Sequence, residues 1–323
     1  MFRYVPERVL NAQDLLVGDT AIIDVPMDKK GWFFLLLQIA ITLAVGTGTG
    51  AKSEGELNIV RNITLDTDID KDSHNAPAKA LYRYAQHAQG NAASKDAIAA
   101  ASATYRVNVP LMFGDPLADL EHQADTLFDA RRYDGAQLKI QLGTVADLLS
   151  TPGTAAISSA KVSALAFKTN YDLPAEWAPS AYRYFKGLAA VNHTDLELKV
   201  RRVFDLRLRR LMYMLATGST AGVPFSGTPV DAGVTNISFD IGVKKEMDSM
   251  DRRMLADDNA RAYKMASRPA GFYMLDFMPE GNPDESLILH PDIISKASME
   301  WETDDATATT VNALIDGQQL LKV

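Results

Sequence analysis

Runs of alternating apolar and polar residues recur along the chain, and the longest lies near its start, at Trp32–Val45. In the second half of this run every other residue is a large aliphatic one, namely Ile39, Ile41, Leu43 and Val45. A period of two is typical of a β-strand with one buried face. A helix that crosses a membrane needs about 20 apolar residues, more than this run supplies. We therefore predict a buried strand.

Further segments of the first half also predict strands, because apolar residues alternate in them between turn-forming residues. These segments are Thr20–Pro26, Glu56–Leu65, Thr104–Phe113, Gln137–Leu142 and Lys161–Thr169. In Glu56–Leu65 the alternation places aliphatic side chains on one face, as a half-buried strand requires.

Helical patterns are fewer and lie between the strands. Ser73–Gly90 has a proline near its start, a glycine at its end and apolar residues on one helical face. Pro116–Ala130 and Ala175–Val191 also predict short helices. None of the three begins the regular strand–helix–strand order of a parallel sheet.

The second half of the chain shows the same strand pattern. Its predicted strands are Asp195–Phe204, Asp205–Leu215, Val234–Val243, Gly271–Pro279, Ser286–His290, Ala297–Thr303 and Thr310–Asp316. A helix-prone stretch, Lys244–Ala266, separates the third from the fourth. The halves therefore repeat one order of elements, including an aromatic strand that closes in a turn at Thr104–Pro116 and again at Gly271–Pro283.

This order predicts a mainly β fold of two tandem jelly-roll sandwiches with short helical inserts, since about eight strands in roughly 150 residues suit one jelly roll. We place the first jelly roll at residues 1–172, with an N-terminal arm at 1–18. A linker helix at 173–193 leads to the second jelly roll at 194–323.

The composition of the chain excludes several classes of function. The 323 residues carry a net charge of −8, which argues against a surface built throughout to hold nucleic acid. The chain has no cysteine, which excludes disulfides, thiolate zinc sites and cysteine nucleophiles. Its first ten residues, MFRYVPERVL, lack the apolar run of a signal peptide, so we expect none.

One segment is similar to a phosphate-binding loop. Gly46–Ser53 reads GTGTGAKS, but Ala51 stands where the motif GxxxxGK[ST] requires glycine before the lysine. The motif must also open a helix, whereas the residues after it alternate as a strand. We favour a flexible loop between strands. A nucleotide hydrolase stays open as an alternative, and its nucleotide binding would be abolished by Lys52→Ala.

The acidic run DTDIDKD suggests a cation site at Asp66, Asp68 and Asp70. A helix–loop–helix calcium site needs glycine at position six and glutamate at position twelve, where this chain has Lys71 and Pro77. We favour a solvated acidic turn and keep a looser cation site of the three aspartates as the alternative. The histidines show no metal-ligand spacing and no serine lies in a GxSxG elbow, so we expect no cofactor and no enzyme.

Basic residues concentrate in Lys199–Arg210. If this part of the chain is a strand, Arg207 and Arg209 share one of its faces. That stripe could contact nucleic acid, lipid headgroups or a neighbouring subunit. It could also be a solvated face that discourages wrong edge pairing, which is the interpretation we favour.

The organisation as a whole resembles the double-jelly-roll major capsid proteins of tailless icosahedral viruses, in particular membrane-containing bacteriophages. The segments that carry the resemblance are Trp32–Val45, Glu56–Leu65, Thr104–Pro116, Gln137–Leu149, Val234–Val243 and Gly271–Pro283. Members of this family often have an N-terminal helix that reaches toward the membrane. Here only Val5–Val17 could serve.

The resemblance implies a structural protein of the virion capsid, made in the host cytoplasm. Its main partner would be itself, in homotrimeric pseudo-hexagonal capsomers and their neighbours. Minor capsid proteins, a penton protein or an inner membrane are further implied partners, and sequence-specific nucleic-acid binding is not expected. A carbohydrate- or receptor-binding viral sandwich is a second alternative, in which Trp177 and Trp301 would stack on sugars.

Overall fold

The structure is a computed structural model, in which segments of alternating apolar and polar residues form strands in both halves of the chain. It describes residues 3–69, 71, 73–90, 92–118, 122–179, 181–200, 206–219, 223–241, 244–265, 268–278, 281–282, 286–289, 297–303 and 307–320. The chain divides into two units. The first comprises Met1–Gln86, Ala92–Pro116 and Gln123–Arg183, and the second comprises His87–Asn91, Leu117–His122 and Tyr184–Val323. The predicted domain limits, 1–172 and 194–323, stay predictions.

The first unit is built mainly from strands. They are β1 (Tyr4–Asp14), β2 (Thr20–Val25), β3 (Gly31–Ala44), β4 (Thr49–Ala51), β5 (Val60–Thr67), β6 (His74–Ala76), β7 (Ala103–Met112), β8 (Phe128–Asp129), β9 (Ala136–Leu142), β10 (Leu149–Thr151) and β11 (Ala156–Thr169). The helices are α1 (Gly55–Asn58), α2 (Ala78–Gln89) and α3 (Val145–Leu148), with a 3-10 turn at Ala130–Arg132. Strand β12 (Ala181–Gly187) carries the chain into the second unit.

Two antiparallel arrays and the two-stranded sheet of β4 and β10 make up the first unit. One has the strand order β1-β11-β3-β7, with β8 beside β3, and the other has the order β6-β5-β9-β2. In β3 the predicted apolar face is fully buried and the opposite face is partly exposed. Alternate residues of β9 are buried in the same way. Inner faces of this kind are what a jelly-roll sandwich requires.

The second unit contains β13 (Val191–Asn192), β14 (Glu197–Lys199), β15 (Leu206–Thr217), β16 (Thr228–Pro229), β17 (Val234–Ile241), β18 (Lys244–Asp251), β19 (Phe272–Asp276), β20 (Leu287–Leu289), β21 (Ala297–Thr303) and β22 (Thr310–Leu320). Helix α4 (Arg252–Ala262) follows β18 directly. One array has the order β14-β21-β17-β18. In the other, β15 lies between β22 on one side and β19 with β20 on the other. Both arrays supply residues to one apolar core.

Most strand predictions are confirmed. Trp32–Val45 corresponds to β3, and within the described residues no helix is long and apolar enough to cross a membrane. The aromatic segments at 104–113 and 271–279 correspond to β7 and β19. The predicted helix at 73–90 is present from Ala78 to Gln89 as α2 and is followed by Gly90 with a positive φ of 70°, whereas His74–Ala76 form strand β6.

Two predicted helices are wrong. Residues 181–187 of Ala175–Val191 form strand β12, so no linker helix spans 173–193. Its aromatic residues, among them the fully buried Phe185, pack better on a pleated sheet than on a helix. The described part of Pro116–Ala130 contains turns and the short strand β8 instead of a helix.

The prediction of an N-terminal arm at residues 1–18 is also wrong. Residues 4–14 form the edge strand β1, which pairs with β11 from Tyr4 to Asp14, with two register shifts. The Glu7 carboxylate lies 3.0 Å from Lys30 Nζ and 3.4 Å from Lys168 Nζ. The hydrogen bond from Lys30 holds the pKa of Glu7 below its usual value. These contacts tie the start of the chain to the first unit.

Three element boundaries differ from expectation. The predicted strand at 56–65 begins with the one-turn helix α1, although Leu57 and Ile59 are buried as predicted. The stretch 244–266 begins with strand β18 before it becomes helical. Of Asp195–Phe204 only Glu197–Lys199 is a strand, and residues 201–205 lie outside the described part of the chain.

Candidate functional site

The GTGTGAKS segment forms an ordered connection between two strands. Two hydrogen bonds between Thr47 and Thr154 hold this connection in place. The amide of each residue donates to the hydroxyl oxygen of the other, at 3.0 and 3.1 Å. The segment then continues as strand β4, which pairs with β10. A phosphate loop needs a helix there whose first amides point at the anion. The helix that follows the segment is α1, a single turn that begins at Gly55, and the Lys52 amide instead donates to the carbonyl oxygen of Leu148 at the end of α3. This arrangement is a strand connection and lacks the geometry of a nucleotide site.

Asp66 and Asp68 lie at one side of an open cavity of about 580 Å³. The cavity also contains Asp24 and Asp134, which come from distant parts of the sequence, and one lysine, Lys71. Asp70 lies outside the described residues. Lys139 pairs with Asp66 at 2.5 Å, while Asp68 accepts a long backbone hydrogen bond of 3.4 Å from the Asp134 amide. The result is an acidic cavity whose lining is more negative than positive.

The cation-site hypothesis gains no geometric support from this cavity. Among the described residues, no group of three or more histidine, aspartate or glutamate side chains is placed to hold a metal ion. Asp24 and Asp134 were missed by sequence reasoning because they lie on or beside β2 and β9, far from Asp66 along the chain. Only the pairing of β2 and β5 with β9 brings the four carboxylates to one cavity.

The two arginines of the predicted stripe do not share a solvated face. Arg207 is half-buried, whereas Arg209 is 1% exposed. The pairing of β15 with β22 shifts register between Leu208 and Arg210, which leaves Arg209 as an extra residue in the strand. Such a bulge breaks the alternation of faces. The parity argument placed Arg209 on the wrong side for this reason.

Most other buried charges pair within their own unit. In the first unit, Arg183 lies 3.6 Å from Asp115, and its guanidinium donates to the Tyr84 hydroxyl oxygen at 2.8 Å and to the Gly114 carbonyl oxygen. In the second unit, Arg210 lies 3.0 Å from Asp276 and 3.5 Å from Asp316. Buried ions need partners of this kind, since an isolated charge is costly to desolvate. We assign these groups to the support of the fold.

A polar cluster in the second unit surrounds Asp231. Its carboxylate accepts hydrogen bonds from the Arg268 guanidinium at 2.8 Å, the Tyr273 hydroxyl at 2.5 Å and the Gly271 amide at 2.7 Å. Burial raises the pKa of Asp231, but these three donors outweigh it and bring the pKa below the usual value. Burial also raises the pKa of Tyr273 to about 12, so its hydroxyl stays protonated and donates. The cluster fixes a loop and offers no nucleophile.

The tryptophans proposed for sugar stacking differ in position. Trp301 is 6% exposed, and its indole N–H donates to the His193 carbonyl oxygen at 2.7 Å. Trp301 is therefore part of the core and unavailable to a ligand. Trp177 is half-buried, and its carbonyl oxygen accepts from Arg131 at 2.7 Å. The two residues do not form one exposed aromatic platform.

Exposed apolar side chains mark the remaining candidate surfaces. In the first unit, Leu16, Val17 and Ile22 are exposed around the start of β2, and Ile69 follows the acidic cavity residue Asp68. In the second unit, Leu196, Met254 and Ile288 are exposed. Sequence reasoning missed Ile22, Leu196 and Ile288, because an apolar residue in a predicted strand is expected to face the core. Single exposed apolar side chains are normal on a protein surface and do not by themselves mark a binding site.

Among the comparisons with known proteins, only the comparison with solved structures finds similar proteins. No protein-family model matches the sequence, and no curated protein matches it. The major capsid protein of bacteriophage PM2 aligns with a TM-score of 0.66 at 14% identity, covering 99% of this chain and 98% of that one. The major capsid protein of Sulfolobus Turreted Icosahedral Virus aligns with a TM-score of 0.69 at 14% identity, covering 98% and 97%.

A third similar structure is the Faustovirus major capsid protein, with a TM-score of 0.62, 8% identity and coverage of 100% of this chain and 91% of that one. At these identities the likeness concerns the fold. The predicted fold is thereby confirmed, because the chain has the double-jelly-roll fold of these viral major capsid proteins along its whole length.

Proposed function

We propose that this chain is a major capsid protein that forms homotrimeric, pseudo-hexagonal capsomers of an icosahedral virion. The observation that carries the proposal is the near-complete mutual coverage with viral major capsid proteins, 99% and 98% in the case of bacteriophage PM2. A chance likeness of one sandwich domain would leave half of either chain uncovered. Both jelly rolls, their connection and their order are shared instead.

The polar groups support a structural role and not an enzymatic one. The buried charges described above are engaged in ion pairs and hydrogen bonds, and the phosphate-loop segment leads into a strand. We therefore propose that the chain is not an enzyme and acts by assembly. Its proposed location is the virion capsid, after synthesis in the host cytoplasm.

Physical reasoning favours a closed ring. A heterologous contact that is used three times closes a three-fold ring and satisfies every copy equally. Obligate interfaces of this type are large and apolar. Neighbouring capsomers are the proposed next partners, followed by minor capsid proteins, a penton protein or an inner membrane. Sequence-specific nucleic-acid binding is not part of the proposal.

The test is the mass of the purified chain in solution, measured by light scattering behind a sizing column. A closed ring of three 35.3 kDa chains should elute as one species of about 106 kDa. A dilution series should leave that mass unchanged if the interface is obligate. A monomer at all concentrations would contradict the capsomer proposal.

A further inference from the structure

A buried lysine of helix α2 contacts helix α1 in the first unit. Lys79 is 1% exposed and is the second residue of α2. Its Nζ lies 3.3 Å from Oδ1, the side-chain carbonyl oxygen of Asn58, which ends α1. The same nitrogen lies 3.0 Å from the carboxylate oxygen Oε2 of Glu54, the residue before α1. An amine, a carboxamide and a carboxylate therefore meet at one point.

The surroundings of Lys79 favour its nucleophilic form. Burial is the main cause that lowers the pKa of Lys79 to about 7; the Glu56 carboxylate opposes this shift and the Lys95 ammonium adds to it. Only the neutral amine has a free electron pair, and an exposed lysine is almost entirely protonated at neutral pH. Burial thus supplies a fraction of neutral amine that an exposed lysine lacks.

The carboxylate beside this amine is held in place by two features. The Arg83 guanidinium pairs with Oε1 of Glu54, which leaves Oε2 facing the amine. Glu54 also has a positive φ of 56°, in the left-handed region that residues other than glycine rarely adopt. Strained backbone of this kind is concentrated where function fixes the position of a side chain. Glu54 is therefore placed to accept a proton from Nζ and to release it again.

The carboxamide of Asn58 is oriented toward the amine. Its Nδ2 donates a hydrogen bond to the Ser53 carbonyl oxygen at 3.2 Å, which turns Oδ1 toward Lys79. The carbon that an amine attacks, Cγ, is only about 1.23 Å from that oxygen. A small movement of the end of the lysine side chain brings the nitrogen to the attack distance of about 3.5 Å. Asn58 is half-buried, so a leaving group can escape to solvent.

We propose that Lys79 and Asn58 join in an intramolecular isopeptide bond, with Glu54 as the proton carrier. The amine nitrogen attacks Cγ of Asn58, the electron pair of the C=O bond moves onto Oδ1, and Glu54 takes a proton from Nζ. Glu54 then gives this proton to Nδ2. The C=O bond re-forms, and the bond from Cγ to Nδ2 breaks with its electron pair on the departing ammonia. An amine and a carboxamide become a substituted amide and ammonia, so no oxidant or further reactant is needed.

The bond ties α1 to α2 and closes the loop between residues 58 and 79. Such a link restricts the unfolded chain as a disulfide does, in a protein that has no cysteine. Each chain reacts once with itself, so the step is a self-modification and not enzymatic turnover. The inference goes beyond the proposed function and does not depend on it.

Mass spectrometry of the full-length chain tests the bond. The denatured natural chain should be lighter than its sequence predicts by about 17 Da, the mass of one ammonia. Trypsin should then give one branched fragment, in which residues 53–61 are joined to residues 72–83. Cleavage after Lys79 should be absent, because its amine is part of an amide. Fragmentation of this peptide locates the link at Asn58 and Lys79.

Substitutions at the three reacting positions should each prevent the link. Lys79→Arg removes the amine nucleophile, and Asn58→Ala removes the carbon that it attacks. Glu54→Gln removes the proton acceptor and should slow the reaction about 100-fold, so freshly purified protein should be unlinked. The matched control is Lys168→Arg, which changes another buried lysine, paired with Asp28 at 2.6 Å, and should keep the link.

Two results would overturn the proposal. One is a natural chain of full mass that trypsin cleaves after Lys79. The other is a loss of ammonia that persists in Lys79→Arg or Asn58→Ala, since cyclisation of a different asparagine to a succinimide gives the same change in mass. If Lys79→Arg fails to fold by circular dichroism, the half-buried Asn58→Ala decides between the link and this side reaction.

Discussion

At the scale of single residues, the structure assigns most charges to support of the fold. Arg183 and Asp115 have no exposed side-chain surface and lie 3.6 Å apart, with Tyr84 and Gly114 accepting further hydrogen bonds from the guanidinium. The burial of these two residues could not be predicted from the sequence, because a single arginine or aspartate is not part of a repeating pattern. Their burial follows from the folding of distant segments onto each other, and it makes each residue depend on the other.

Arg183→Met should lower the free energy of unfolding by about 3–5 kcal/mol, since it leaves the Asp115 carboxylate buried without its counter-charge. Urea unfolding followed by tryptophan fluorescence measures the loss. The control is Lys161→Met, which removes an exposed pair with Asp14 and should change stability by less than about 1 kcal/mol. Equal effects of the two substitutions would contradict the assigned role of Arg183.

Asp231 should make the free energy of unfolding depend on pH in the acid range. Its pKa is lowered in the folded protein, so the ionised carboxylate stabilises the fold above the unfolded value near 4. This contribution is lost as pH falls through the folded pKa. Asp231→Asn should therefore be less stable than the natural protein at pH 7 and should lose less stability between pH 5 and acid conditions. Urea unfolding across this range tests it, and parallel curves for the two proteins would exclude the proposed linkage.

At the scale of elements, local periodicity located most strands and misassigned others. It succeeded for β3, β9 and β11, in which one face is more buried than the other, and for β7, whose last four residues are buried on both faces. It failed for residues 181–187, where a short aromatic strand has spacing that a helix could also use. It failed again at Arg209, because a bulge shifts the faces of β15. Bulges and short strands depend on the neighbouring strand, which local pattern does not include.

The N-terminal strand offers a direct test at this scale. Leu10 is the buried residue of β1, and Leu10→Ala should lower the free energy of unfolding by about 2 kcal/mol, since it removes buried aliphatic surface. Arg8→Ala changes an exposed residue of the same strand and should have an effect below about 0.5 kcal/mol. A flexible arm would make both substitutions neutral, so identical small effects would contradict the strand.

At the scale of the whole molecule, the chain consists of two units with the same type of fold, and it aligns with viral coat proteins along its full length. The likeness persists at 14% identity or less. Buried positions of the right size and polarity are enough to retain a fold while most residues change. This explains why comparison of sequences finds no relative where comparison of structures does.

The proposed capsomer has an expected outline. Three copies with two units each should appear in negative-stain electron micrographs as a ring of six similar lobes with three-fold symmetry. Class averages with two-fold symmetry, or with three lobes only, would contradict the pseudo-hexagonal arrangement.

The sequence by itself determined the class of fold, the position of most strands and the exclusion of cysteine chemistry. These depend on composition and on a period of two, which are local properties that any strand with one buried face displays. Only the tertiary structure decided that residues 4–14 are an edge strand, that Arg209 is buried, and that Asp24 and Asp134 join Asp66 at one cavity. Each of these follows from pairing between strands far apart along the chain, and no local pattern specifies which strands become neighbours.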